Sequence, residues 1–579
     1  MDCLTLCSAI AIAKNGFLFG YKDNCQIILK KLIYYDYLFL EILSVLMARV
    51  LEKGYRLIKC TFVIMLLLFF FKMIAPAYKL HEHINNISYT KSENAGDHLH
   101  SYILHENIHD KSYTKSENAG NYLHSSRFDL LFKMVYAYFY AKEKHVPEVI
   151  MMAYAEHLQV WNKFNEYCKT IKKSWYDSKV PCAEKHNLSD FIVSFTKTID
   201  SIQLQGFDYN LSQIPLDKNG FLLNGAHRLA ASIVLSKNAT FQHLGYEQRF
   251  EWGFKFFESS GLSTVTADTI MLEWMSIQIK LQNLNTKVFI LSVFSNNVAK
   301  DKTMRKIVQD RCSKDKGILY EKKISLTKTG ARQLITHMYG YQNWLETKIE
   351  QMLTKFKTST FNVMFLFFYA RKAMDLVHCK LKVRSLYNDT VFKSTAHIPD
   401  TDEDHLILAQ MVLNKNSQVF LNQASNGFQC KDIAQELAVR SSRSQMKTLP
   451  QIFLGKDDIM IDSGSVLSFF ALRKRTDVDI LFLREIDKRV LGSTNGMTIQ
   501  AHAFSSNAAP GKRAWGQEHL TKSRNKWDFF YDPKNFGYCY GIKFVSLQEL
   551  IRYKVKRDEP EKDEYDVKLL IEFQKAIYT

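Results

Sequence analysis

The chain has 579 residues, of which 46% are hydrophobic and 23% charged, and this composition excludes a collagen, a disulfide miniprotein and a wholly disordered polymer. At about 150 residues per domain, the length predicts three or four domains, each with its own core. Lys and Arg number 77 against 59 Asp and Glu, so the formal net charge is +18. Such a surface favours phosphate-bearing partners, which include nucleotides, nucleic acid and anionic membranes.

Residues 1–80 form a hydrophobic N-terminal extension. Within it, residues 60–71 carry no charge and lie between Lys59 and Lys72. A membrane-spanning helix needs about 20 apolar residues, and residues 57–77 reach that length if the lysines extend to the interface. Three interpretations stay open: a membrane anchor over residues 57–77, a buried or interfacial helix, and an extension that contributes little to the folded protein.

Residues 81–126 form a polar, His-rich segment with an internal repeat. Residues 88–96 (SYTKSENAG) recur as residues 112–120. Two copies are too few to stack into a solenoid. We therefore expect a solvated linker, with metal binding by its histidines as the alternative.

The ten cysteines are irregularly spaced, and no two of them form a Cys-x-x-Cys pair. In a chain of this length, that spacing is typical of free thiols in a reducing compartment. We expect a cytoplasmic location, with membrane association through residues 57–77 as the alternative.

From about residue 127 onward, the pattern predicts a multidomain α/β (α+β) fold. Residues 127–260 combine helices with a hairpin at Asp217–Gly220, residues 261–448 form a mixed α/β domain, and residues 449–579 form a C-terminal domain. The apolar residues Phe191, Phe195, Ile199 and Ile202 are spaced along one face of a helix.

The strongest chemical motif lies in the C-terminal domain. A short apolar strand ends at Gly464 and Ser465, a helix of about two turns follows, and the next strand opens with Asp477-Val-Asp479. Since side chains alternate along a strand, the two aspartates point to one face. Neighbouring carboxylates are ligands that Mg²⁺ favours, and a Gly-Ser turn at a helix N-terminus lets the backbone approach a phosphate.

This arrangement resembles the nucleotidyltransferase superfamily typified by DNA polymerase beta, including the gap of eleven residues between Ser465 and Asp477. The resemblance implies a mixed sheet with helices, Mg²⁺ as cofactor and a nucleoside triphosphate as substrate. It also implies the following roles: Asp477 and Asp479 as catalytic metal ligands, and Gly464, Ser465, Arg473 and Lys543 as nucleotide-binding residues.

The same family takes a third catalytic carboxylate from a later strand. Asp528 is the best local match, and Asp532 is the second choice. Near the end of the chain, Lys562-Asp563-x-x-Asp566 is similar to the closing helix of small nucleotidyltransferases that act on sugars, small molecules or toxin targets.

A second motif, Asn224-Gly225-Ala-His227-Arg228, follows the predicted hairpin and opens an apolar helix. It resembles the nucleotide-binding loop of the ParB/sulfiredoxin-like superfamily, over residues 205–245, although Asn224 replaces the usual acidic residue. The resemblance implies nucleotide binding by Gly225, His227 and Arg228. The alternative is a helix start whose arginine pairs with a carboxylate.

Residues 394–405 concentrate histidines and acids before a predicted helix. We expect Thr401 or Asp402 to cap that helix. An acid/base pair of His397 and Asp400 is the alternative.

Together, these motifs predict a Mg²⁺-dependent enzyme that transfers a nucleotidyl or phosphoryl group from a nucleoside triphosphate such as ATP. The expected acceptor is a small molecule, a sugar or a surface-glycan precursor. Two alternatives stay open: a ParB-like nucleic-acid-binding regulator, and a catalytically inactive scaffold with a nucleotidyltransferase fold.

Overall fold

The computed structural model describes residues 113–171, 187–208, 210, 213–245, 247, 252–281, 284–294, 298–339, 344–356, 359–370, 373–389, 395–423, 458–474, 477–484, 498–503, 519–520, 524–557 and 560–578. All of them belong to one compact unit, His109–Thr579. Residues 57–77, for which a membrane anchor was one of three interpretations, and the first copy of the repeat lie outside the described residues. Within these ranges, no helix has both the length and the apolar character needed to cross a membrane.

The first part of the described chain is built around a small sheet covered by helices. Its elements are β1 (Tyr113–Asn118), α1 (Asp129–Tyr138), α2 (Glu148–Ile171), α3 (Leu188–Gln205), β2 (Ile214–Leu216), α4 (Ala226–Val234), β3 (Asn238–His243), α5 (Phe254–Ser259) and α6 (Thr264–Lys280). The strand order is β1-β3-β2, with β1 antiparallel and β2 parallel to β3. The predicted turn after β2 is confirmed, since the N–H of Gly220 donates to the carbonyl of Asp217.

Helix α3 follows from its sequence. The side chain of Asn187 accepts the N–H of Asp190 and caps the first turn. Phe191, Phe195, Ile199 and Ile202 are all buried, as their spacing predicted. The backbone leaves the helix at Gly206, whose φ of 79° lies in the left-handed region that glycine favours.

The predicted linker is wrong for the second copy of the repeat, because β1 forms an edge strand of the first sheet. It pairs with β3 along its whole length, from Tyr113 opposite His243 to Asn118 opposite Asn238. Past the strand, the ring of Tyr122 packs 4.0 Å from that of Phe241. A polar segment can join a sheet in this way because backbone hydrogen bonds and one aromatic anchor hold it, without an apolar face of its own.

The central part contains a four-stranded sheet of order β5-β6-β4-β7, in which all neighbours are antiparallel. Its elements are β4 (Lys287–Phe294), α7 (Asp301–Arg311), β5 (Tyr320–Thr327), α8 (Lys328–Tyr339), α9 (Leu345–Phe356), β6 (Thr360–Ala370), α10 (Ala373–Leu386), β7 (Ala396–His397), α11 (Asp402–Leu413) and α12 (Lys415–Gln423). Alternate residues of β4 belong to two different apolar clusters, with Ile290 on one face and Leu291 on the other. The strand is therefore buried on both sides, which explains its continuous apolar sequence.

The prediction of free thiols is wrong for Cys312 and Cys379, which form a disulfide with a Cα–Cα distance of 5.4 Å. The bond joins the end of α7 to α10, two helices on the same face of the central sheet. Cys539 is disulfide-bonded as well. The pairing of Cys312 with Cys379 could not be seen in the cysteine spacing, because 67 positions separate them and only the sheet brings their helices together.

The C-terminal part contains a five-stranded mixed sheet of order β10-β9-β8-β12-β11. Its elements are β8 (Ile459–Asp462), α13 (Ser463–Phe469), β9 (Asp477–Phe482), β10 (Thr498–Ala503), α14 (Lys526–Tyr531), β11 (Phe536–Cys539), β12 (Ile542–Val545), α15 (Leu547–Lys556) and α16 (Pro560–Tyr578). Strand β8 is antiparallel to β9 and parallel to β12. The predicted α/β class is confirmed.

The junction of α11 and α12 holds the edge strand β11 of this sheet. The side-chain amides of Asn414 and Asn416 both donate to the carbonyl of Phe536, at 3.1 and 2.9 Å. The hydroxyl of Ser417 accepts the N–H of Tyr538 at 2.8 Å. These bonds satisfy backbone groups that an edge strand leaves open, and one apolar core continues through all three sheets.

Candidate functional site

Gly464 and Ser465, which form the Gly-Ser turn, lie in the first turn of α13, directly after β8, the strand that pairs with β9. A Cβ placed on Gly464 would overlap Nη2 of Arg473 and would lie 3.9 Å from Oδ2 of Asp479. A larger residue at this position would displace that guanidinium, so the glycine here permits a close approach of the Arg473 side chain. The turn therefore brings a glycine, an arginine and a carboxylate to one point.

Ser465 fixes this turn against β9. Its side chain is fully buried, and its Oγ accepts the backbone N–H of Asp479 at 3.0 Å. Asp479 is itself 8% exposed. Asp477 opens the same strand two residues earlier, and its side chain lies outside the described residues.

A buried network of charged side chains begins at Asp462, the last residue of β8. The sequence analysis did not predict it. Asp462 lies opposite Asp479 in the β8–β9 register. Its carboxylate is 3.1 Å from Nε2 of His519, and Nδ1 of the same ring is 3.1 Å from Glu549. The side chain of Glu549 also accepts hydrogen bonds from Arg524 and Arg552. The sequence contains all five residues but no spacing pattern that joins them.

The contacts in this network explain the pKa shifts of His519 and Glu549. Burial of His519 would lower the pKa of its imidazole, but the two carboxylates beside it outweigh burial and raise that pKa. Burial would raise the pKa of Glu549, but hydrogen bonds from Arg552, His519 and Arg524 outweigh it and lower the pKa to about 2. The contact of Asp462, two residues before Gly464, therefore favours the protonated form of the His519 ring.

No protein-family model matches this chain, and no curated protein or solved structure matches it. The role of the Gly-Ser turn is therefore argued from the contacts of its residues alone. Among the described residues, no group of three or more His, Cys, Asp or Glu side chains is placed to hold a metal ion. Asp479, beside the turn, is a carboxylate, which is a ligand type that Mg²⁺ prefers.

Arg473 is held in place by the closing helix. Its Nη1 lies 3.0 and 3.1 Å from the two carboxylate oxygens of Asp566, which also accepts the ammonium of Lys554 at 2.8 Å. Asp563, one turn earlier on α16, pairs with Lys554 and with Arg557. The two acids of the Lys-Asp-x-x-Asp sequence thus anchor α16 to α15 and to the arginine over Gly464.

Asp528 does not lie on a strand, and the prediction of its secondary structure is wrong. It lies in the first turn of α14, where Asn525 caps the helix. Its carboxylate accepts the backbone N–H of Glu148, at the start of α2, at 2.8 Å. Asp532, the second choice, follows α14 and accepts the N–H of Lys534. The contacts of both residues are those of helix and turn caps.

The structure places the ammonium of Lys543 among the rings of Tyr531, Phe536 and Tyr538. The residue is 3% exposed, and its ammonium donates to the carbonyl of Phe530 at 2.9 Å. The same ammonium lies 4.1 Å from the ring centroid of Phe536. We therefore leave Lys543 out of the site that we propose below.

The second motif opens α4 as expected. Gly225 has a φ of 80°, and the guanidinium of Arg228 folds back over it. Asn224 accepts the N–H of Gly225 at 2.6 Å. Nε2 of His227 is hydrogen-bonded to the hydroxyl of Tyr154 at 2.8 Å, so the ring is held against the core.

The expected cap of α11 is confirmed. Thr401 accepts the N–H of Asp404 at 3.1 Å through its hydroxyl. Burial lowers the pKa of His397 to about 3, and Asp400 lies 3.6 Å from Lys380. These contacts do not favour an acid/base pair of His397 and Asp400.

Proposed function

We propose that the C-terminal part of the chain transfers the nucleotidyl group of a nucleoside triphosphate to an acceptor hydroxyl. In this reaction, the acceptor oxygen bonds to the α-phosphorus and pyrophosphate leaves. One observation carries the proposal: the guanidinium of Arg473 fills the hollow over Gly464, beside Asp479. A triphosphate needs a cation and a metal-binding carboxylate, and Arg473 and Asp479 are residues of these two types beside the turn.

The chain's own residues have distinct roles in this proposal. Asp479 and Asp477 would hold Mg²⁺, which supplies charge neutralisation and Lewis-acid activation when bound. Arg473 is partly exposed and fixed by Asp566, so it is oriented to neutralise a phosphate. Ser465 keeps the turn at a fixed distance from β9 through its bond to the N–H of Asp479.

The test is pyrophosphate release by the full chain from each of the four ribonucleoside triphosphates, with and without Mg²⁺. Asp477→Ala and Asp479→Asn should each reduce Mg²⁺-dependent release by about 100-fold, a typical loss for one preorganised electrostatic group. Asp458→Asn is the matched control, because Asp458 lies just before β8, at the end away from the turn. Equal activity in all three variants would refute the proposal.

The nucleic-acid-binding alternative predicts a different result. A chain with a formal net charge of +18 that acts through phosphate contacts should bind DNA or RNA with a steep dependence on salt. A filter-binding titration measures that slope directly. An inactive scaffold predicts that no nucleoside triphosphate, with or without Mg²⁺, changes the melting temperature.

A further inference from the structure

An open cleft of about 690 Å³ lies along α3, in a different part of the fold from the Gly-Ser turn. Small-molecule sites typically measure about 300–1,000 Å³. The lining contains side chains of both charges and several hydroxyls, and consists of Asp190, Val193, Ser194, Lys197, Thr198, Ser201, Ile202, Gly206, Phe207, Asp208 and Arg228. The cleft is therefore large enough for a small ligand and polar enough to orient it.

Arg228 is a half-buried cation on the wall of this cleft. Its Nη1 donates to the carbonyl of Gln213 at 2.9 Å, and within the described ranges no carboxylate forms an ion pair with it. Burial lowers the pKa of its guanidinium. A half-buried guanidinium usually faces an anion, because its desolvation is otherwise uncompensated.

Lys197 adds a second cation to the same cleft. It is exposed on α3, and within the described part of the chain it makes no ion pair. Two cations suit a ligand group that carries close to two negative charges, as a phosphate monoester does near neutral pH. A carboxylate, with one charge, would leave one of the two unmatched.

The rest of the lining suits hydroxyl groups. Asp190 and Asp208 supply carboxylates, which accept hydrogen bonds from hydroxyls. Ser194 and Ser201 lie one above the other on the cleft side of α3 and supply donors and acceptors.

We propose that this cleft binds the phosphate monoester of a small polyhydroxylated molecule, with Arg228 and Lys197 on the phosphate and the acids of the cleft on the hydroxyls. A sugar phosphate and a nucleoside monophosphate share this chemistry. The site does not depend on Mg²⁺ or on the Gly-Ser turn. Binding to this cleft can therefore be confirmed or refuted independently of the nucleotidyltransferase proposal.

The experiment is isothermal titration calorimetry of the full chain, in Mg²⁺-free buffer, with five probes. Glucose 6-phosphate and AMP test the two sources of the phosphate, while glucose, adenosine and glucuronate lack it. We expect one of the two phosphates to bind at least about tenfold more tightly than its unphosphorylated form and than glucuronate.

Variants then locate that binding. Lys197→Gln should weaken it about threefold, as expected for an exposed charge, and Arg228→Gln about thirtyfold. Lys302→Gln is the matched control, because Lys302 is an exposed lysine on α7. Asp479→Asn should also bind normally. If Arg228→Gln does not fold, Lys197→Gln is the deciding variant, because Lys197 is exposed and forms no ion pair with any described residue.

Three results would overturn the proposal. The first is the absence of binding by both phosphates at millimolar concentration, and the second is equal binding of phosphorylated and unphosphorylated probes. The third is an affinity that Lys197→Gln leaves unchanged.

Discussion

Nε2 of His519 lies 3.1 Å from the carboxylate of Asp462, the residue that ends β8 immediately before the Gly-Ser turn. The opposite ring nitrogen lies 3.1 Å from Glu549, and the ring stacks on Tyr553 at a centroid distance of 4.2 Å. A ring with both nitrogens protonated satisfies both carboxylates. The charged form of a fully buried histidine is thus the one that the fold favours.

His519→Gln should make the stability of the chain less sensitive to alkaline pH. Because the folded-state pKa of His519 lies above the ordinary 6.5, its contribution is complete below pH 6.5 and disappears as the pH rises through the folded-state value. We expect the variant to lose about 3 kcal/mol of unfolding free energy at about pH 6, as for a broken buried ion pair, and less at about pH 9. Urea unfolding of both proteins across this range measures the difference, and a constant difference would contradict the assigned charge.

Gly464→Ala should impair nucleotide turnover more than folding. The new Cβ would overlap Nη2 of Arg473 and force that guanidinium away from the turn. Because a side-chain end can move, we expect a stability loss of about 1 kcal/mol and a rise in KM for the triphosphate. Gly253→Ala is the matched control, since its Cβ would have no neighbour closer than 3.8 Å. Equal kinetics in the two variants would show that the position of Arg473 does not matter.

Local chemistry in the sequence predicted the elements of the turn and of the cap, but not the contacts between distant segments. The strand, helix and strand predicted around the Gly-Ser turn are observed as β8, α13 and β9, although Gly464 and Ser465 lie in the helix and not at the end of the strand. The cap at Thr401 is observed as well. The pairing of Asp462 with His519 joins positions 57 residues apart, and it depends on the order in which strands enter the sheet. The edge strand β1 was missed because its polar residues carry no period-two apolar pattern.

Asp528→Ala and Asp528→Asn should separate a capping role from a catalytic one. Because the carboxylate accepts the N–H of Glu148 at the start of α2, removing it should cost about 1 kcal/mol of unfolding free energy. Asparagine retains a side-chain oxygen, so Asp528→Asn should keep most of that stability. Turnover per folded molecule should be unchanged in both variants. A large loss of activity in a stable Asp528→Asn protein would restore this residue as a third catalytic carboxylate.

The disulfide between Cys312 and Cys379 should make a large contribution to the stability of the central part. It closes a loop with a sequence separation of 67 residues, and the chain-entropy model gives about 4 kcal/mol for a loop of this length. Both sulfurs lie in the apolar cluster between α7, α10 and the sheet, so alanine is the substitution that leaves no buried hydroxyl. The double variant C312A/C379A should therefore unfold at a lower urea concentration than the oxidised wild type. Reductant should lower the wild-type midpoint by more than it lowers that of the variant, in which Cys539 remains disulfide-bonded. Equal midpoints of the two oxidised proteins would show that the bond contributes nothing to stability.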